Sequence, residues 1–192
     1  MVNAFLAGVK LLAAGSVVVV GVQAAAAPKT PFSTNGRIDL QRINREFRNG
    51  VVKIEFTPIM NYREIKLKPR KSERYMGIGD EGSHGSGFFI NEHEILTNAH
   101  VVEHARHGSI RITTPATGNV KFKVEVVGIG GRSSLDLAIL RMPEDEKLRF
   151  RKRSGLDTIP YLRLGESNSL KQSDPLAILG YPTESDEIKV IQ

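Results

Sequence analysis

Two short stretches hold the side chains best suited to chemistry: Thr97-Asn98-Ala99-His100 and Leu135-Asp136-Leu137-Ala138-Ile139. His100 follows the strand-like run "EIL" through a small polar tripeptide, which aims an imidazole off the end of a strand. Asp136 stands among leucine, alanine and isoleucine, and a carboxylate in such a frame is costly unless it is paired or hydrogen-bonded. A histidine N–H is a suitable partner. In a His–Asp pair the carboxylate holds one tautomer of the imidazole and stabilises the imidazolium, and the second ring nitrogen becomes a general base directed at a nucleophile. A plainer role fits the same residues, with His100 opening a helix and Asp136 serving as a turn or cap residue, because spacing in sequence says little about distance in space.

Other constellations point less clearly to chemistry. His100, His104 and His107 recur at i, i+4 and i+7, a spacing that sets three imidazoles on one helical face near a metal. No acidic residue completes the set in the manner of an HExxH helix, so no metal or other cofactor is expected. The basic runs "KLKPRK" (66–71) and "RFRKR" (149–153) lack the interleaved aromatics of a nucleic-acid surface, and Glu144 and Glu146 dilute the second. Solvated loops, and no nucleic-acid partner, are the expectation. The chain has no cysteine, which excludes disulfides, thiolate metal sites and a cysteine nucleophile. Its formal charge of +6 leans toward anionic surfaces without selecting one.

The elements that must position His100 and Asp136 are short strands. "RIDLQRINREFRNG" predicts a helix ending at Gly50. Strands are expected at 51–57, 85–90, 94–98, 109–114, 120–130 and 135–142, a short helix at 99–108 and a basic loop at 61–84. In "VKFKVEVVGIG" (120–130), Val120, Phe122, Val124 and Val126 fall on one face and Lys121, Lys123 and Glu125 on the other. The two glycines of "GSGFF" allow close backbone approach at a barrel corner. About six strands within ninety residues, separated by turns, are the pattern of an antiparallel barrel or sandwich. The charged stretch 143–158 reads as a linker. Strands at 159–167, 174–182 and 188–192 belong to a second β unit, whose last strand is an exposed edge.

"GSGFFI", "ILTNAHVV", "DLAIL" and "LRLGESNSLKQSDPLAILGYP", in that order, resemble the trypsin-like serine proteases of the HtrA/Deg family, most closely those with a "GYP" turn. The likeness runs from about Val51 to Gln192. It implies an all-β fold, a trypsin-like double β-barrel with the first barrel complete and the second truncated. It implies His100 as the general base and Asp136 as the orienting acid of a serine endopeptidase, with unfolded or misfolded proteins as substrates and a homo-oligomer for the full-length protein. The family's nucleophile sits in a "GNSGG"-type loop of the second barrel. Ser154, Ser167, Ser169, Ser173 and Ser185 follow Asp136 here, and none precedes Gly-Gly. The expectation is therefore an inactive N-terminal part of such an enzyme, without the oxyanion hole or a peptide-binding PDZ domain. A non-catalytic, peptide-binding or chaperone-like module that kept the first barrel is the alternative.

The expected organisation is a signal peptide (1–26), an extension with a short helix (27–50), a first barrel carrying His100 and Asp136 (51–142), a linker (143–158) and the start of a second barrel (159–192). Lys10, the uncharged run 11–22 and Ala24-Ala25-Ala26 form the secretory pattern of a basic residue, an apolar segment and a small-residue cleavage site. The apolar run is shorter than the roughly 20 residues of a spanning helix, so cleavage and a periplasmic or secreted location are expected. A secreted chain without cysteine suits a bacterial envelope. N-terminal sequencing of the cell-envelope form is expected to read from Ala27 or within a residue or two of it. An intact Met1 on cytoplasmic protein would contradict this.

Overall fold

The computed structural model describes residues 33–34, 37–57, 84–103, 105, 109–130, 135–165, 168, 172, 176–182 and 187–191. The expected signal peptide, most of the 61–84 loop and His104 and His107 lie outside the described residues. Strands β1 (Ser33–Thr34) and β2 (Arg37–Ile38) form a two-residue ladder. Helix α1 (Leu40–Phe47) follows. The Asp39 carboxylate at its N-cap accepts the Arg42 backbone N–H at 2.9 Å, which satisfies one of the free donors of the first turn.

Seven strands then make one antiparallel sheet: β3 (Val51–Glu55), β4 (His84–Phe89), β5 (Glu94–Thr97), β6 (Arg111–Thr114), β7 (Gly118–Lys123), β8 (Glu125–Ile129) and β9 (Ala138–Arg141). Their order across the sheet is β7-β6-β3-β4-β5-β9-β8. The two edge strands, β7 and β8, are consecutive in the chain with only Val124 between them. The sheet therefore has to curl until its edges meet, and the run 118–129 serves both. Of the two outcomes that the strand spacing allowed, an antiparallel barrel or a sandwich, the curled sheet is the barrel-like one. The fold class is mostly β and trypsin-like in its first part.

The curl creates two cores. Val52, Ile54, Phe89, Ile95, Ile112, Phe122 and Leu140 point into the barrel and are fully buried. Val51, Phe88 and Leu96 point outward and are covered in turn by Ile38 and Ile43 near and on α1 and by Leu162, Ala177, Leu179 and Tyr181. Strands β3 to β5 are thus buried on both faces, and for that reason "FFI" and "IL" read as unbroken apolar runs and "VVKI" is interrupted only by Lys53. The N-terminal extension belongs to the second core through Ile43.

The stretch 120–130 departs from the expected single strand. Phe122 and Val124 are buried, but Val126 is 41% exposed. The chain changes partner at Val124, from β6 to β9, and the β8–β9 register shifts between Val126 and Gly128. A bulge of this kind turns later residues to the other face.

The expected linker 143–158 holds helix α3 (Glu144–Ser154). Its first turn carries Glu144, Asp145 and Glu146 and its last turn Arg151, Lys152 and Arg153, the arrangement that a helix dipole favours. Gly155, at φ 69°, ends it in the left-handed region. Phe150 inserts into the barrel core against Phe89 and Phe122, with ring centroids 5.9 and 5.2 Å apart. Arg149 and Arg151, expected on a solvated run, instead pair with Glu146 and Glu92.

Residues 159–165 form no ladder, although a strand was expected there. They cross the barrel wall with Ile159 and Leu162 buried, and Leu162 N–H donates to the Phe89 carbonyl at 2.8 Å. Two strands follow, β10 (Ile178–Gly180) and β11 (Lys189–Ile191), paired antiparallel with each other. Phe150→Ala is expected to cost about 3–5 kcal/mol, the range for deleting a buried aromatic ring. Urea unfolding checks this, and a loss below about 1 kcal/mol would mean that α3 is not anchored by the ring.

Candidate active site

The register of one strand pair brings the two candidate residues together. β5 and β9 run antiparallel with Thr97 opposite Ala138. Residues just after Thr97 therefore lie beside residues just before Ala138. Asn98 is still extended, and the chain then turns into α2 (Ala99–Val102), four residues long. Ala99, Val101 and Val102 are buried, which leaves His100 as the residue of that turn facing outward.

Gly85 makes room for this turn. A Cβ at that position would stand 2.7 Å from Val101 Cγ1 and 2.8 Å from Cγ2, both on a short, stiff side chain. Gly87 is similarly placed, with a Cβ falling 2.8 Å from Ile54 Cδ1 and 3.0 Å from the Leu96 carbonyl oxygen. The close approach expected of the "GSG" glycines is thus an approach of β4 to the histidine turn and to β5.

Three donors converge on the Asp136 carboxylate. His100 Nδ1 lies 2.6 Å from Oδ2, and the backbone N–H of His100 donates to Oδ1 at 2.9 Å. Asn98 Nδ2 donates to Oδ2 at 3.1 Å and to the Asp136 carbonyl oxygen at 3.3 Å. A carboxylate only accepts, so the proton between the two side chains belongs to Nδ1. Partial burial pushes the Asp136 carboxyl up, but the hydrogen bonds from His100 and Asn98 outweigh it and hold the carboxyl below the usual range. The two side chains keep 28% and 24% of their surface exposed, so solvent reaches the pair.

The other nitrogen is free to act. Among the described residues nothing hydrogen-bonds to His100 Nε2. The hydroxyls of Ser86, Ser109 and Ser154 donate to the carbonyl oxygens of Tyr181, Thr57 and Arg151 respectively. His100 Nδ1 is committed to Asp136, while His104 and His107 lie outside the described residues.

Sequence reasoning missed two contributors. Asn98 was read only as part of a small polar tripeptide, and its amide fixes the carboxylate. Ser86 was given no role beside the two glycines of "GSGFF". Its buried hydroxyl donates to the Tyr181 carbonyl at 3.2 Å and accepts the Tyr181 N–H at 2.8 Å, and its own carbonyl accepts Thr97 Oγ1 at 2.7 Å. It joins the "GYP" turn to the strand that leads to His100. The one available signal was a polar residue inside an otherwise apolar strand buried on both faces.

A histidine held by a carboxylate at one nitrogen and open at the other, at the end of a barrel strand, is the arrangement of a trypsin-like site. The profile of the trypsin-like peptidase domain matches residues 85–192, more than half of the chain, and the chain belongs to that family. Within the family it is HtrA/Deg-like. It is 40% identical over 142 residues to "Protease Do-like 4, mitochondrial" of Arabidopsis thaliana, across 74% of this chain and 23% of that protein. It is 35% identical over 99 residues to the "Probable periplasmic serine endoprotease DegP-like" of Halomonas elongata, across 51% of this chain and 17% of that protein. The chain thus spans less than a quarter of the length of either relative. A crystal structure of the Rv3671c protease from M. tuberculosis, active form, aligns at a TM-score of 0.42 and 19% identity, across 94% of this chain and 57% of that one.

Because its folded pKa is depressed, Asp136 adds stability that is present above the unfolded carboxyl value of about 3.9 and lost as pH falls through the folded value. Unfolding free energies between pH 7 and 2 are expected to converge for wild type and Asp136→Asn at the acid end. A constant gap across that range would contradict the carboxylate's role. Gly85→Ala is expected to cost about 1–3 kcal/mol through overpacking against Val101, and Val101→Ala in the same chain to return part of it. Additive losses in that cycle would show the two positions to be independent.

Proposed function

We propose that His100 and Asp136 are the general base and orienting acid of a serine endopeptidase that hydrolyses peptide bonds in unfolded or misfolded proteins. The observation that carries this reading is the 2.6 Å contact between His100 Nδ1 and Asp136 Oδ2 beside an Nε2 with no partner among the described residues. Membership of the trypsin-like family and the endoprotease relatives support it. In the reaction Nε2 takes the proton of a serine hydroxyl as it attacks the scissile carbonyl and returns it to the leaving amine. Asp136 keeps Nδ1 protonated and stabilises the imidazolium between those steps.

The nucleophile is not among these 192 residues, since no serine here stands before Gly-Gly. By themselves they form the base-and-acid half of the machinery. In a working triad, loss of the serine alone costs about six orders of magnitude in turnover. Without oxyanion donors, nothing would stabilise the charge on a carbonyl brought to His100. For location we favour export over a mitochondrial destination, although curated relatives of both kinds exist. Residues 1–26 hold one lysine and no arginine, whereas mitochondrial leaders are rich in arginine.

The purified 192-residue chain is expected neither to turn over peptides nor to react with a fluorophosphonate probe. A chain extended with a Gly-x-Ser-Gly-Gly loop of the second barrel is expected to label at that serine, and His100→Ala to abolish the labelling. Labelling of a serine within the 192 residues, or labelling of the extended chain that survives His100→Ala, would contradict the assignment.

A further inference from the structure

A cavity of about 420 Å³ opens away from the His100–Asp136 pair, and none of Asn98, His100 and Asp136 lines it. Its walls come from α1 and the turn after it (Asn44, Arg48), the β6–β7 hairpin (Thr113 to Pro115, Gly118, Asn119) and the second β unit (Tyr181, Glu187, Ile188). Three parts of the chain far apart in sequence thus meet around one polar space.

Three of its groups have no side-chain partner among the described residues. Tyr181 is 5% exposed, and its hydroxyl makes no hydrogen bond among the described residues. Tyrosine hydroxyls commonly pair with a polar partner at such a boundary, and a group bound in the cavity could supply one. Burial pushes the Tyr181 phenol up to about 12, partly opposed by the nearby charge of Arg48, so at neutral pH it is a neutral O–H donor. Arg48 has no ion pair or hydrogen bond from its side chain among the described residues. Beside them, Asn44 Oδ1 is buried with no partner. A guanidinium fork and a phenol O–H on one wall match the two oxygens of a carboxylate. The orphan Asn44 oxygen calls for an N–H donor, which a peptide backbone has, and the Glu187 carboxylate at the rim can accept a further one. Glu187 opposes an anion, but it is 84% exposed and lies 3.9 Å from Lys189, which tempers its field.

We propose that this cavity is a carboxylate-binding site for a short peptide, with Arg48 and Tyr181 holding the carboxylate and Asn44 and Glu187 taking backbone N–H groups. The carboxylate has two possible sources, a peptide C-terminus or an acidic side chain. The cavity is of the size that small ligands occupy, about 300 Å³ or more.

The test is NMR titration of the full chain with three probes: N-acetyl-Ala-Ala-Ala with a free C-terminus, N-acetyl-Ala-Glu-Ala-amide, and the neutral N-acetyl-Ala-Ala-Ala-amide. Saturable shifts at Tyr181, Asn44 and Asn119 with one or both acidic probes, and binding at least about tenfold weaker for the neutral one, are expected. The acidic probe that binds more tightly identifies the source. Arg48→Gln is expected to weaken that probe about tenfold or more and Tyr181→Phe severalfold. Arg45→Gln, which removes a nearby cation of α1 outside the cavity, is expected to leave it unchanged. Equal binding of the neutral probe, no effect of Arg48→Gln, or no saturable shift below about 10 mM would overturn the site. None of these readouts depends on a serine nucleophile, so the site stands or falls apart from the peptidase assignment.

Discussion

The Asp136 carboxylate is the point on which the site depends. It is reached by a backbone N–H and an imidazole N–H from residue 100 and by an amide from residue 98. These donors belong to the turn that leaves β5, while the acceptor belongs to the segment that enters β9. One side chain therefore ties together two strands 38 residues apart at their facing positions, Asn98 and Asp136. Removing any one donor would leave a partly buried charge less compensated, a costlier state than an apolar replacement of the whole set.

The two cores set the geometry within which that carboxylate works. The inner core fixes the curl of the sheet, and α3 closes one side through Phe150. The outer core clamps α1 and the β10–β11 unit onto β3, β4 and β5. Strands covered on both faces have little freedom to shift register, since a slip by one residue would exchange the inner and outer sets. The position of residue 98 relative to residue 136 follows from that rigidity. The same outer packing brings α1 and Tyr181 together around the polar cavity, so both sites are consequences of how the second core is assembled.

Much of this could be read from residue patterns, and the failures have physical causes. Short apolar runs between turn residues revealed the barrel strands, and the isolated polar residues at 100 and 136 pointed to the candidate site. The 120–130 run misled because alternation cannot signal a bulge or a change of partner strand at Val124. The 143–158 stretch misled because its charges were read as a solvated connector. Their order, acidic first and basic last after Pro143 and before Gly155, carried the helix signal. Residues 159–165 misled because apolar residues that cover a barrel wall look like a strand. Ser86 and the Tyr181–Arg48 wall could not be read at all, since they join segments nearly a hundred residues apart or more.

The central claim is that Asp136 holds His100 with its proton on Nδ1 and leaves Nε2 as the base. Nitrogen NMR of the His100 ring, taken at a pH where the imidazole is neutral, reads this directly. The account predicts a protonated Nδ1 and a bare, pyridine-like Nε2, with that preference lost in Asp136→Asn. A wild-type ring protonated at Nε2, or one unchanged by Asp136→Asn, would contradict it.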